Sequence, residues 1–407
     1  MTPYIRLSRS VGIAMTATLL TSTTGHAGEW EFGASVGAEL RTFVEEPRLP
    51  EQFDTFQPSL ILEPDIRWES ENRQHQVVIL PFARIDGQDD ERTHVDLREG
   101  YYRYSGDGYE ILAGAAKVYW GVTESRQLVD IINQTDAVED IDEEDKLGQP
   151  MVKASFFQDW GQLDFFYLPY FRERTFPGIE GRPRFSFPID IDNALYEDDD
   201  EEWAPSFAVR YSHFIGAWDV SLNAFHGTSR EPNFVFQSQG ENVPIAVPLY
   251  NEITQVGATA QYTNDAWLWK FEGIVREGQG DTFGAVVAGL EYTFFGVTDS
   301  GADLGVLVEY LYDGREEFFA PPTPLENDIF LGGRYTLNDI QDTAILAGAI
   351  TDTEDGSISG LIEAQRRFGQ NWTGDIEARF FTNIDQDNLL AEFENDSYIT
   401  LRLTRYF

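Results

Sequence analysis

The stretch SYITLRLTRYF, residues 397–407, alternates apolar and polar side chains along its length. In an extended chain the apolar residues fall on one face, namely Ile399, Leu401, Leu403 and Phe407. The opposite face carries Tyr398, Thr400, Arg402, Thr404 and Tyr406. This period of two predicts a β-strand. Such a strand fits either the edge of a soluble sandwich or the wall of a closed barrel, and the rest of the sequence distinguishes them.

The same alternation recurs through the chain in segments of about ten residues, the length of a membrane-spanning strand. It is clearest in residues 30–41, 60–68, 286–294, 304–313 and 372–380. In each segment one face is apolar and the other carries charged or small residues. A sandwich would need the apolar face packed on a second sheet, whereas a membrane barrel turns it towards lipid and keeps the charged face in a wet lumen.

The first 27 residues have the features of an export signal. Arg6 and Arg9 precede an apolar run over 11–20, and Gly25 to Ala27 offer a small-residue cleavage site. We therefore expect residues 1–27 to be a cleaved signal peptide and residues 28–407 to form a single barrel domain. No later stretch approaches the roughly 20 consecutive apolar residues of a spanning helix, so strands would have to cross the membrane.

Composition narrows the function classes. The chain has no cysteine, which excludes disulfides and thiolate metal sites. Its net charge of −41 argues against nucleic-acid binding, which needs a basic face. Aromatic residues make up 14% of the chain although the mean hydropathy is −0.34. Many rings in a polar chain are typical of a barrel that faces lipid on one side and water on the other.

The connections between the predicted strands alternate between short and long. Short turns rich in Gly, Asn and Asp occur at 70–74, 105–108, 159–162, 215–217, 263–266 and 369–371. Long acidic connections occupy 121–150, 172–205, 227–252 and 313–327. Short periplasmic turns and long extracellular loops are the arrangement of outer-membrane barrels. The sequence predicts an all-β, single antiparallel transmembrane barrel of about 18 strands, with 16 as the alternative.

Over residues 28–407 the chain resembles Gram-negative outer-membrane porins, through its alternating strands, its turn and loop rhythm and the final residues RYF. Residues 117–136 are also loosely similar to segments of uncharacterised outer-membrane barrel families. The porin resemblance implies outer-membrane lipid and lipopolysaccharide as surroundings, and homotrimers as an oligomeric state. It also implies that Phe407 is an assembly signal for the barrel-assembly machinery. Arg405 departs from the usual pattern, which has an apolar or aromatic residue there.

Two kinds of residue could carry other chemistry. The four histidines after residue 27 lie in no nucleophile motif, so we expect no enzymatic activity. The acidic runs 139–145 and 197–202 could bind Ca²⁺ or Mg²⁺, but they lack the spacing of a calcium-binding loop. We expect solvated loops without a cofactor, with a divalent cation bridging to lipopolysaccharide as the alternative.

The segment 121–150 is too long for a plain hairpin loop, and its two halves differ. Leu128, Val129, Ile131 and Ile132 form an apolar cluster, whereas 139–145 is almost all acidic. The cluster would be buried either inside the barrel, against residues such as Phe82, or under a lid of other loops. If it lies inside, the segment and the charged wall line the pore. The residues that we expect at the pore and its constriction are Arg41, Arg67, Arg84, Asp130, Asn133, Asp136, Glu309, Arg334, Arg379 and Arg402.

Three functions are compatible with these patterns. The first is a porin for passive diffusion of small hydrophilic solutes, with a preference for cations because the loops are acidic. The second is a channel selective for apolar or aromatic compounds and gated by 121–150. The third is a non-conducting barrel with a structural or adhesive role.

Overall fold

A computed structural model describes residues 28–238, 244–316 and 319–407, and the predicted signal peptide lies outside these ranges. The described residues contain 21 strands and two short 3₁₀ helices. The strands are β1 (Glu29–Phe43), β2 (Phe56–Glu69), β3 (His75–Asp86), β4 (His94–Ser105), β5 (Tyr109–Ala116), β6 (Gln149–Gln158), β7 (Gly161–Leu168), β8 (Leu195–Tyr196), β9 (Ser206–Ile215), β10 (Trp218–Thr228), β11 (Asn233–Gln237), β12 (Ile245–Tyr250), β13 (Glu252–Asn264), β14 (Trp267–Glu277), β15 (Phe283–Phe294), β16 (Asp303–Asp313), β17 (Asn327–Thr336), β18 (Ala344–Asp352), β19 (Ile358–Phe368), β20 (Trp372–Thr382) and β21 (Tyr398–Tyr406). The helices are Glu201–Trp203 and Leu389–Phe393. No helix in these ranges is long and apolar enough to cross a bilayer.

Eighteen of the strands form one closed antiparallel barrel, which confirms the predicted fold class and strand number. Each strand pairs with its neighbour in the chain, and the ring closes where β1 pairs with β21 from Ser35–Tyr406 to Phe43–Tyr398. The stretch 397–407 is thus a wall strand and not a sandwich edge. The remaining strands, β8, β11 and β12, form a small separate sheet within the long loops.

Alternation along each strand separates an outer from an inner face. On β1, Trp30 and Phe32 are 51% and 57% exposed on the outside, whereas Glu39 and Arg41 are 4% and 2% exposed on the inside. Rings cluster at the end of the barrel that carries the short turns. There Trp218 contacts Tyr262 with ring centroids 4.7 Å apart, and Trp267 contacts Tyr292 at 4.6 Å. This aromatic girdle borders an apolar belt, as expected of a wall in contact with lipid.

The ladder between β2 and β3 is interrupted. The β2–β3 pairing runs from Ser59–Asp86 to Leu62–Ala83, stops, and resumes at Ile66–Ile79 in the same register. In that register Pro64 lies opposite Pro81, and neither proline has an N–H to donate. The β3–β4 ladder also shifts register between Leu80 and Pro81. The barrel is therefore locally weakened between β2 and β3.

Candidate functional site

The connection between β5 and β6, residues 117–148, lies inside the barrel, and we call it the inner segment. It corresponds to the predicted long connection 121–150, with β6 beginning at Gln149. Val129, Ile131 and Ile132 of this segment are at most 2% exposed. Of the two placements that the sequence left open, the structure adopts the luminal one.

The apolar half of the inner segment packs on one side of the barrel wall. Leu128 to Ile132 and Trp120 share a hydrophobic core with inward-facing residues of the strands from β5 to β17, namely Leu112, Met151, Phe166, Phe225, Ile253, Ile274, Val287, Leu307, Leu311 and Phe330. Phe82 is not part of this core, which corrects our expectation. Its ring instead lies under the Arg98 guanidinium, 4.1 Å from ring centroid to Cζ.

Wall carboxylates bind the backbone of residues 122–125, which we call the neck of the inner segment. Glu272 accepts hydrogen bonds from the N–H groups of Val122 and Thr123, the second at 2.9 Å. Glu309 accepts from the N–H groups of Glu124 and Ser125 at 2.9 and 2.8 Å. Hydrogen bonds to ionised acceptors are stronger than neutral ones. The neck is therefore fixed to β14 and β16.

The side chain of Glu124 adds a second attachment on the same side. It pairs with Arg334 at 2.7 Å and with Lys270 at 3.5 Å. Burial alone would raise the pKa of the Glu124 carboxyl, but these two cations hold it below its usual value.

Arginines hold the acidic half of the inner segment on the opposite side of the lumen. Arg41 pairs with Asp140 at 2.6 Å, Arg98 with Asp136 at 2.5 Å and Arg379 with Asp142 at 2.6 Å. Arg84 is fully buried between Glu139 and the wall residue Glu39. The run 139–145 is thus not the solvated acidic loop that we expected, because the wall supplies arginines for three of its six carboxylates, Glu139, Asp140 and Asp142.

These contacts change the acidity of the segment carboxyls. Burial would raise the pKa of Asp136, but His94 and Arg98 hold it well below its usual value. Burial would likewise raise the pKa of Glu139, but Arg84 and Arg92 hold it below its usual value. Both carboxylates therefore stay ionised in the docked segment.

Two predicted residues shape the inner segment itself. Asp130 accepts from the N–H groups of Trp120 and Gly121 at 2.5 and 2.8 Å. Asn133 donates to the carbonyls of Ala116 and Leu147, both at 2.8 Å, and so joins the two ends of the segment. Their first role is to fold the segment.

Most of the predicted pore residues contact the inner segment from one or the other side of the wall, or lie within the segment itself. Two lie elsewhere: Arg67 pairs with Asp65 on its own strand, and Arg402 pairs with Glu39 on β1. Sequence reasoning missed Arg92 and Arg98, which also hold the segment. Arg92 lies in the β3–β4 connection, where no alternation marks it, whereas Arg98 lies on β4, where the exposed Val95 and Leu97 were an available signal that its side chain faces inward.

Among the described residues, two groups of side chains could hold a metal ion by geometry. They are His94 with Asp136 and Glu139, and Asp140 with Asp142 and Glu377. Each group is already neutralised by arginines, including Arg98 and Arg379. A Ca²⁺ or Mg²⁺ site at the acidic runs stays a prediction.

A cavity of about 520 Å³, which we call the vestibule, lies between the inner segment and the long loops. It is enclosed by the inner segment and by parts of the long loops that follow β7, β10, β16 and β20. Eleven basic and nine acidic side chains line it among the described residues. This balance contrasts with the net charge of −41 for the whole chain. Of the predicted pore residues, the vestibule is lined by Arg41, Asp130, Asn133 and Arg379.

A closed antiparallel barrel with an apolar belt outside and a charged wall inside is the architecture of a transmembrane β-barrel protein. This one also carries a folded segment in its lumen. No protein-family model matches the chain, and no curated protein matches it.

Several solved outer-membrane structures are similar in fold. One is OmpT of Vibrio cholerae in a trimer form, with a TM-score of 0.48 and 10% identity over 94% of this chain and 100% of that chain. Another is OprB of Pseudomonas putida, with a TM-score of 0.46 and 8% identity over 93% and 94% of the two chains. A third is a double mutant of the Rh. blastica porin, with a TM-score of 0.44 and 11% identity over 93% and 100%. These are resemblances of the barrel fold.

Proposed function

We propose that this protein is a diffusion channel of the bacterial outer membrane whose lumen is narrowed by the inner segment. The observation that supports it best is the attachment of that segment to opposite walls, through Glu309 on one side and Arg41 on the other. A segment that is attached to both sides of the lumen narrows the path for solutes but leaves the vestibule on its outer side open. We propose no catalytic activity for it.

A second candidate is a channel selective for apolar or aromatic compounds. The lumen of a general porin is polar, whereas here the inner wall that contacts Leu128, Val129, Ile131 and Ile132 is apolar. Phe225 and Phe330 are at most 1% exposed and face the inner segment. Movement of the segment would uncover this apolar wall to a solute, which favours this candidate over a pore for small hydrophilic solutes alone.

Single-channel recording in a planar bilayer tests the proposal. In the test variant a short Gly-Ser linker replaces residues 120–145. Ala116 pairs with Gln149 across β5 and β6, so the strand ends stay close enough for a short connection. We expect small, fluctuating conductance from the wild type and a several-fold larger, steady conductance from the variant.

A matched control replaces the exposed acidic run 197–202 by Gly and Ser, which should leave the conductance unchanged at 1 M salt, where charges at the mouth are screened. Equal conductance of the wild type and the linker variant would contradict a restricting role of the segment. Absence of conductance in both, when both migrate as folded barrels, would instead favour a structural or adhesive barrel.

We also propose a preference for inorganic cations at low salt, because the run 197–202 lies on an exposed loop at the mouth. The Debye length is about 30 Å at 0.01 M salt and about 3 Å at 1 M, so the preference should fade as salt is added. A reversal potential in a salt gradient measures it, and the 197–202 variant should reduce it. A homotrimer stays a prediction that cross-linking in membranes would test.

A further inference from the structure

The vestibule has the dimensions of a small-molecule site, since such sites span about 300 to 1,000 Å³. Assigning it a ligand rests on the proposed function, because that ligand would be the solute that the channel admits. Two features of the lining, a cluster of phenylalanine rings and two arginines, define its chemistry.

Six phenylalanines from separate parts of the chain meet at the vestibule. Phe234 contacts three of them, with centroid distances of 5.9 Å to Phe176, 6.0 Å to Phe185 and 5.8 Å to Phe187. Phe393 continues the cluster, at 5.4 Å from Phe185 and 6.3 Å from Phe381. All six line the cavity. They offer a solute an apolar and aromatic surface on the outer side of the inner segment.

Ten arginines line the same cavity, and eight have a carboxylate oxygen within 3.2 Å among the described residues. Arg184 and Arg230 are the exceptions, although they are only 7% and 5% exposed. The chain has 70 acidic and 29 basic residues, so a shortage of carboxylates does not explain the exceptions.

Neither of these two arginines forms a close ion pair. Arg230 donates only to backbone carbonyls, to Ile132 at 2.9 and 3.2 Å and to Thr228 at 2.6 Å. Arg184 donates to the carbonyl of Phe185 at 2.8 Å, and its buried Nε has no hydrogen-bond partner. Its nearest carboxylate is that of Glu51, 3.8 Å away on a side chain that is 55% exposed.

A buried charge without a counter-ion is unfavourable, because water is removed and nothing replaces it. Burial lowers the pKa of the Arg230 guanidinium to about 9, and it also lowers the pKa of Arg184. An anion in the vestibule would supply the missing charge. Arg184 is joined through Phe185 to the ring cluster, so the charge and the apolar surface adjoin each other.

We propose that the vestibule binds amphipathic anions, with the carboxylate of the solute at Arg184, its apolar or aromatic body among the adjoining phenylalanine rings, and Arg230 as a second positive charge on the cavity wall. A neutral aromatic compound would use the rings but leave Arg230 without a counter-ion and Arg184 with only Glu51 at 3.8 Å. A small inorganic anion would pair with the arginines but leave the rings unused. The favoured solute therefore needs both parts.

Equilibrium binding to the purified, folded full-length barrel tests this inference. The probes are 3-phenylpropanoate, the neutral alcohol 3-phenylpropan-1-ol and propanoate, each titrated calorimetrically with protein-free detergent as the blank. We expect 3-phenylpropanoate to bind at least ten-fold more tightly than either of the other probes. Equal affinity for the acid and the alcohol, or no binding of the acid, would overturn the inference.

Single substitutions test which residues bind the carboxylate of the probe and which bind its aromatic ring. Arg184→Met and Arg230→Met should each reduce the preference for acid over alcohol several-fold, whereas Phe234→Ala should weaken both aromatic probes alike. Arg73→Met is the matched control, because Arg73 lies in a turn at the other end of the barrel with its side chain 84% exposed. Heat-modifiable migration on gels verifies that each variant is folded. An unchanged preference in both folded arginine variants would refute the assignment.

Because binding is measured without transport, the two proposals can fail separately. A barrel that binds 3-phenylpropanoate but conducts no ions would support the proposed binding site and contradict the proposed channel. A conducting barrel that does not bind 3-phenylpropanoate would support the channel and contradict the binding site.

Discussion

Glu309, on the inner face of β16, accepts two hydrogen bonds from Ser125, one from its backbone N–H at 2.8 Å and one from its hydroxyl at 2.6 Å. The two residues are 184 positions apart in the chain. A single wall carboxylate thus fixes both the path of the backbone and the orientation of a side chain in the inner segment. The position of the segment depends on this wall contact and not on its own sequence alone.

Glu309→Gln should loosen the inner segment without removing bulk. A hydrogen bond to an ionised acceptor stabilises by about 1 to 2 kcal/mol more than one to a neutral acceptor. The fraction of time that the segment is detached from the wall should therefore rise roughly tenfold. Single-channel recording would show this as longer periods of high conductance. Glu63→Gln is the matched control, because Glu63 is also on the inner wall but bonds to Ser35 and not to the segment. Equal gating in both variants would contradict the role of Glu309.

Arg84→Met should destabilise the folded barrel because it leaves two buried carboxylates, Glu39 and Glu139, without this partner. Breaking a buried ion pair in this way costs about 3 to 5 kcal/mol. Urea unfolding in detergent measures the loss. The double variant with Glu139→Gln should recover part of it, because the unpaired charge on the segment is then absent. Additive losses in the double variant would show that the two residues are not coupled.

Acid should break the ion pairs of Glu124, Asp136 and Glu139 only at unusually low pH. The carboxyl groups of Glu124, Asp136 and Glu139 have pKa values below their usual range in the docked segment. The free energy of docking that these carboxylates contribute is therefore present above their ordinary pKa. It is lost as the pH falls through their lowered pKa values. Conductance should be constant from pH 8 to about pH 4.5 and rise only below the usual carboxyl pKa of about 4. A sharp opening between pH 7 and pH 5 would contradict this assignment.

Replacing Pro64 and Pro81 by valine should strengthen the wall between β2 and β3. Each valine restores an N–H where the ladder is interrupted, and an unsatisfied backbone group in lipid costs several kcal/mol. Amide hydrogen exchange of residues 63–66 and 79–82 should slow, and the urea midpoint should increase. The single variants should each recover less than the pair. Unchanged exchange in the double variant would indicate that the interruption has another cause.

Phe407→Ala should impair assembly in cells more than it impairs stability. The Phe407 ring is 50% exposed, so its loss removes little buried area, and its backbone N–H still donates to the Ala34 carbonyl. We expect less folded protein in outer-membrane fractions but a nearly unchanged urea midpoint after refolding in detergent. Phe294→Ala, with a ring that is 48% exposed, is the matched control. An equal effect of both substitutions in cells would argue against a signal at Phe407.

The barrel was predictable because lipid and water impose the same period on every wall strand. β1 shows this clearly, since Phe32 and Glu39 follow the alternation and lie on opposite faces. The small sheet of β8, β11 and β12 was not predictable in the same way. β8 has only two residues, and β12, IAVPLY, is apolar on both faces, so neither shows a period.

The inner segment was partly predictable, since its apolar half had to be buried and the lumen was one of two available places. The partner of each charge was not predictable, because alternation indicates which face a residue occupies but not which residue lies across the lumen. Arg230 illustrates the limit: only the assembled vestibule shows that it forms no ion pair with a carboxylate of the described residues, since the adjacent Glu231 pairs with Arg276 and Arg315. The rings of Phe176, Phe185 and Phe187, in the long connection after β7, were the available signal for the vestibule.

Asp140 has a further consequence, for the order in which the barrel is built. It pairs with Arg41 on β1 at 2.6 Å and accepts a hydrogen bond from the Tyr398 hydroxyl on β21 at 2.5 Å. These two strands are the most distant pair in the sequence, and contacts of that kind form late because a long chain must be ordered first. One carboxylate of the inner segment therefore spans the seam where the ring closes. A nascent barrel that closed around an empty lumen would lack these two contacts, so we expect insertion of the segment to stabilise the closure of the cylinder.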